Sequence, residues 1–185
     1  MIYTLQIILV VMTLVSFSRG QTLFPILGGQ RVGTSAFTFL NIGVSARATG
    51  MGEAVVALNQ DATSIHYNPA IVAQLDQTEI SVSQIQWPAD IFYDYFSFSH
   101  RLKGRHYIGL NGGILHMKPM PETNEYFPDG TGNYFSYQDR FLGATYGAKM
   151  TDRFSFGVTL KYVAEDLAEY KMSTVLMDLG TFYWT

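Results

Sequence analysis

The sequence predicts an antiparallel all-β fold of the outer-membrane barrel type, about six strands in extent, behind a small N-terminal helical segment. Three observations carry it. From residue 79 onward, apolar residues alternate with polar or small ones in successive segments, the period-two pattern of strands with two unlike faces. Those segments are longer than the ~5–6 residues of an ordinary strand and match the ~9–11 that a tilted strand needs to cross hydrocarbon. The composition agrees: 13 Phe, 12 Tyr and 2 Trp stand against only 15% charged residues, a balance found in large β cores and in lipid-facing sheets.

Residues 1–20 read as a signal peptide. Leu5 to Phe17 is an almost unbroken apolar run, too short for a comfortable membrane span and of the length of a secretory h-region. Ser18 and Gly20 put small residues at the −3 and −1 positions before Gln21. An uncleaved anchor is the alternative. Cleavage removes Arg19, leaving 11 of the 12 basic residues against 15 acidic ones, a net charge of −4. With no basic cluster to neutralise phosphates, nucleic acid is not an expected partner. The absence of cysteine from the sequence excludes disulfides, thiolate metal sites, cysteine catalysis and a lipidated N-terminus.

Residues 21–78 form a separate segment rich in small residues. Within it, DATSIHYNPA at 61–70 holds two helix-start signals. Asp61 is suited to cap the N–H groups just downstream. Asn68 repeats that role with Pro69 at the first helical position, where a missing N–H costs nothing. Pro69 also drives Asn68 out of the α region. A one- or two-turn helix after Asp61, a break, and a short helix from Pro69 through Leu75 are therefore expected. Arg47 is the segment's lone cation between residues 39 and 70, and Glu53 and Asp61 are its nearest acids.

Strands are expected at 79–87, 91–101, 106–117, 139–150, 154–163 and 173–184. Phe154, Phe156, Val158, Leu160 and Tyr162 alternate with Ser155, Gly157, Thr159 and Lys161; Leu142 to Met150 behave in the same way. Alternation alone does not separate a soluble sandwich, whose apolar face is the core, from a barrel, whose apolar face meets lipid. Strand length favours the barrel. So does an alternation of tight turns (103–105, 151–153) with longer loops (118–138, 164–172), with WPAD at 87–90 as the exception. Tyr162, Tyr183 and Trp184 are placed near strand ends for an aromatic girdle. Six strands are fewer than the eight of the smallest closed barrels. The chain is therefore expected to be the N-terminal portion of a longer barrel, or to take strands from another chain.

FLNIGVSARATGMGEAVVALNQDATSIHYNPA, residues 39–70, resembles the opening of the PorV/PorQ family of Gram-negative outer-membrane proteins, relatives of the FadL-type fatty acid transporters. The resemblance continues through Trp87-Pro88-Ala89-Asp90, Gly157-Val158-Thr159-Leu160-Lys161 and Asp178-Leu179-Gly180. It implies a barrel whose N-terminal residues fold into or against the lumen as a hatch, with Asn68-Pro69-Ala70 part of it. The hatch residues singled out are Arg47, Gly50, Gly52, Asp61, Asn68, Pro69 and Ala70. Gly50 and Gly52, like Gly43, Ser45, Ala46 and Ala48, would let backbone pass close to the wall.

No catalytic constellation stands out. Gly-x-Ser-x-Gly is missing, and Gly50-Met51-Gly52 lacks the ending of a phosphate loop. Asp61 and Asp178 as an acid/base pair is the less economical reading beside a cap and a lumen carboxylate. His100, His106 and His116 flank one hairpin but have no convergent carboxylate or thiolate to complete a metal site. No cofactor is expected. The implied role is non-enzymatic. It is either a part in type IX protein secretion, with secretion proteins or exported cargo as partners, or FadL-like passage of hydrophobic molecules. A secreted soluble β-sandwich is the alternative of another class. The loop KPMPETNEYFPDGTGNYFSYQ, with five aromatic and three acidic residues, could recognise a partner or fold over the barrel mouth.

Overall fold

A computed structural model of the chain describes residues 36–58, 61–167 and 170–185. The signal-peptide reading of residues 1–20 lies outside them. The described chain opens with a 3₁₀ turn at Thr38–Asn41, a short helix α1 at Ala46–Gly50, and two further 3₁₀ helices at Ala62–His66 and Pro69–Gln74. Eight strands follow: β1 (Glu79–Trp87), β2 (Ile91–Arg101), β3 (His106–Met117), β4 (Met120–Pro121), β5 (Tyr134–Phe135), β6 (Tyr137–Lys149), β7 (Phe154–Leu167) and β8 (Tyr170–Tyr183). β4 and β5 pair only with each other; the remaining six form one antiparallel sheet in the order β1-β2-β3-β6-β7-β8. It is not closed. Among the described residues, β1 and β8 each pair along one side.

Both cap readings at 61–70 correspond to observed geometry. Asp61 accepts from the Thr63 N–H at 2.8 Å within a capping box completed by Ser64, and Asn68 accepts from the Ala70 N–H at 3.0 Å. The two helices are 3₁₀ rather than α, since the segments between the caps are too short to propagate an α-helix.

Two expectations about the strands need correction. Residues 164–167 and 170–172 are strand, not the expected loop: β7 and β8 stay paired out to Leu167↔Tyr170. Glu165 and Asp166 read as loop residues because they are charged, yet they continue the alternation. Asp166 lies 3.5 Å from Arg140 on one face, and Glu165 accepts from the Phe37 N–H at 2.9 Å on the other. The tight-turn and long-loop alternation consequently rests on the β3–β6 connection alone. Tyr162 also moves from the end of its strand to the middle of β7, whereas Tyr183 and Trp184 do stand exposed where β8 ends.

Burial decides between sandwich and barrel. The outward face of the sheet is apolar and exposed: Val82 is 78% accessible, Val175 67%, Leu179 63% and Leu160 56%. The opposite face is polar and covered. Ser97, Ser99, Asn111, Thr145, Ser155, Thr159 and Lys161 are all buried there. A water-soluble sheet would reverse this, since so large an exposed apolar face is not tolerated in a soluble monomer.

The outward residues fall into register rows. Next to the long loop the rows are mostly polar, carrying Gln84, Asp94 and Arg140 with Ile114 and Ala164 among them, then Gln86, His116, Gln138, Asp166 and Lys171 with Phe92. Beyond them the rows are almost wholly apolar, beginning with Val82, Phe96, Leu142, Tyr162 and Val175. From Tyr162 to Phe154, β7 covers about 26 Å of strand, or about 20 Å of bilayer at the usual ~40° tilt. That approaches the ~25 Å apolar band of outer-membrane barrels.

Candidate functional site

The inner face of the sheet holds the helical segment, and glycine makes the seat. Gly147 on β6, Gly157 on β7 and Gly180 on β8 are directly paired across the sheet, so three side-chain positions in one inward row are empty. The Asn68–Ala73 backbone occupies that trough. A Cβ on Gly157 would fall against the Pro69 carbonyl, one on Gly180 against the Asn68 amide oxygen, and one on Gly147 against Val72. Glycine inside a strand marks such close backbone approach. Gly109 extends the seat to β3, where a Cβ would lie 2.9 Å from Ile65 Cδ1 and 3.2 Å from Val72 Cγ2.

Asn68 fastens the segment in place. Its amide oxygen caps Ala70 while its amide nitrogen donates to the Val56 carbonyl at 3.0 Å and the Thr181 carbonyl at 3.1 Å. Residue 68 is 6% exposed, so both carbonyls would be left without this donor in a dry site if the side chain were removed. Pro69, Ala70, Ile71, Val72 and Ala73 are all buried behind it.

The segment is also tied along its length. Ser83 Oγ donates to the Val44 carbonyl at 2.6 Å, and the Val44 N–H donates to the Tyr67 hydroxyl at 3.1 Å. Gln74 Nε2 donates to Ser155 Oγ. Asp76 faces Lys149 Nζ at 3.2 Å, the Tyr107 hydroxyl at 3.3 Å and Arg101 Nη1 at 3.5 Å. The hydrogen bond from Lys149 holds its carboxyl below the usual range. Phe39 and Val44 complete an apolar cluster with Tyr93, Tyr95, Leu115, Phe141 and Val163 of the wall.

Behind the segment the wall is polar. Lys161 Nζ meets Asp178 Oδ2 at 2.6 Å, with the lysine side chain 8% exposed, and Thr145 and Thr159 share a 2.6 Å hydroxyl contact. His66 sits over this belt, its ring against Tyr67, Tyr95 and Phe141. Burial, reinforced by the Lys161 charge, lowers its pKa to about 4. Tyr67 is raised to about 12, chiefly by burial.

Of the residues singled out from sequence, Asp61, Asn68, Pro69 and Ala70 come together at the seat or its cap. Arg47, Gly50 and Gly52 do not. Arg47 is exposed on α1 and has no ion pair among the described residues; Glu53 instead accepts from Thr49 Oγ1 at 2.8 Å. Among the described residues, nothing lies within 4 Å of a Cβ on Gly50 or Gly52. The close approach expected there occurs at Gly147, Gly157 and Gly180, and Gly52 instead supplies a left-handed turn at φ 62°. The three histidines take separate partners: Thr78 for His100, Tyr146 for His106 and Asp94 for His116. Sequence reasoning missed the glycine row, Lys161 with Asp178, and Asp76. The row's signal was available, since each glycine stands on the inward parity of its strand.

An antiparallel sheet with a lipophilic outer face, a polar inner face and helices seated on the inside defines an outer-membrane β-barrel type of protein. The family model for type IX secretion system protein PorV matches residues 27–182, and the chain belongs to that family. A comparison with curated proteins finds no match. The chain is accordingly an outer-membrane protein associated with type IX secretion.

Proposed function

We propose that the protein is a non-enzymatic docking component of type IX secretion, binding secretion proteins or exported cargo with its outer end while the described helical segment, residues 61–75 above all, stays in place as a hatch. The observation that carries this reading is the close seating of Asn68–Ala73 on the Gly147–Gly157–Gly180 row, backbone against backbone at Gly157. A conduit needs a plug that leaves readily, and this one is held by the buried Asn68–Thr181 hydrogen bond to β8 and a fitted trough. The wall beneath it, with Ser97, Ser99, Asn111 and the Lys161–Asp178 pair, is ill suited to a hydrophobic solute. The β3–β6 loop presents Tyr126 at 84% and Tyr134 at 70% exposure, aromatic anchors of the kind that dominate protein interfaces. In this reading residues 1–20 are a cleaved signal peptide, so the mature N-terminus is Gln21. The β1 and β8 edges meet further strands, because unpaired backbone groups in hydrocarbon cost several kcal/mol each.

A locked hatch tests it. The sequence has no cysteine, so Gln74→Cys with Ser155→Cys can be joined in cells by a short bis-methanethiosulfonate, which forms a mixed disulfide with each thiol and releases two methanesulfinates, without side reactions on the protein. Cargo secretion should continue with the hatch locked and stop when residues 122–133 are replaced by a Gly-Ser loop. Secretion that stops on locking but survives the loop replacement would overturn the docking reading in favour of transit through the lumen.

A further inference from the structure

The outward face carries a groove of about 370 Å³ at the boundary between its polar and apolar rows, within the ~300–1,000 Å³ range of ligand sites. The β3 position in the first apolar row is Gly112, and the Phe96 ring of β2 leans across it, 2.5 Å from where a Cβ would stand, to floor the groove beside Leu142 on β6. Val82 and Tyr162 extend the apolar walls, while Asp94 and Arg140 stand at the polar rim. The two rim charges differ in availability. Asp94 is engaged on both oxygens, by Gln84 Nε2 at 2.6 Å and His116 Nε2 at 3.1 Å. Arg140 has one ion-pair contact, with Asp166 at 3.5 Å, and its side chain is 51% exposed. Most of the guanidinium's five donors therefore remain free for an oxyanion.

We infer that this groove is a specific lipid site: it holds one acyl chain of a phosphorylated lipid along Phe96, Gly112 and Leu142, with the phosphate on Arg140. The amphipathic division of the groove matches that of the ligand, an apolar trough descending from an exposed guanidinium at the level where headgroups lie. Ordinary annular lipid needs only an apolar surface; a fitted trough with a cation at its polar end selects among headgroups. The site lies on the opposite face of the sheet from the hatch and makes no use of it.

The test is native mass spectrometry of the full-length protein in mild detergent, titrated with dioleoylphosphatidylglycerol. A single lipid should bind, and Arg140→Gln should weaken it about tenfold, as loss of a charge-assisted contact does. Gly112→Leu, whose side chain would push the Phe96 ring off the groove floor, should weaken it at least as much. Dioleoylglycerol, which lacks the phosphate, should bind the wild type and Arg140→Gln alike, and inorganic phosphate should not compete. Arg105→Gln, at the far end of the sheet, should leave binding unchanged. Equal retention of phosphatidylglycerol by Arg140→Gln and the wild type would overturn the inference and leave annular lipid only, even if Gly112→Leu fails to fold. Competition by inorganic phosphate would overturn it too, because the site would then be a simple anion site.

Discussion

Replacing Gly157 by alanine adds one methyl group to the centre of the trough, where it would collide with the Pro69 carbonyl and crowd the Ala70 nitrogen. Both obstacles are backbone, and the backbone is held by the Asn68 cap and clamp, so neither can swing aside as a side chain would. Overpacking at such a site costs ~1–3 kcal/mol, and about 2 kcal/mol multiplies the opening equilibrium of the seated segment ~30-fold. Hydrogen exchange of the outer-membrane protein, followed by mass spectrometry on peptides spanning residues 61–75, reads that equilibrium directly. Exchange there should accelerate ~30-fold in Gly157→Ala while the β2–β3 peptides keep their protection. Gly50→Ala, in open space at the end of α1, should change nothing or slow exchange slightly. Exchange at wild-type rates in Gly157→Ala would refute the seat, since the helices would then not rest on the glycine row.

Three further outcomes follow from the same geometry. Asn68→Ala should accelerate exchange of residues 61–75 by the equivalent of ~2–3 kcal/mol, combining a lost cap with two orphaned carbonyls; Asn68→Asp keeps the cap and should fall between it and the wild type. Because the His66 pKa is lowered to about 4 in the folded chain, the unfolded state binds the extra proton between that value and its ordinary ~6.5. Stability is therefore complete above pH ~6.5 and declines toward pH ~4 by at most ~1.4 kcal/mol per unit. The temperature of the mobility shift on detergent gels should drop over that window, and an equal drop in His66→Gln would exclude His66 as its source. Asp178→Asn strands the buried Lys161 ammonium and should lower that temperature more than Lys161→Met, which leaves a carboxylate that is 39% exposed; the reverse ranking would contradict the burial asymmetry.

The two caps at Asp61 and Asn68, the break before Pro69 and the six long strands follow from the sequence alone, because local backbone chemistry and period-two alternation act over a few neighbouring residues. The family likeness at residues 39–70 is equally a property of the string. The tertiary structure decided three things. It turned the apolar face outward, since alternation is symmetric under exchange of inside and outside and only burial breaks that symmetry. It continued β7 and β8 through Glu165 and Asp166, whose partners, Phe37 and Arg140, are remote in sequence. And it placed close approach at Gly147, Gly157 and Gly180 rather than at Gly50 and Gly52. A glycine's spacing says nothing of what lies above it, and these three form a trough only because strand register lines them up.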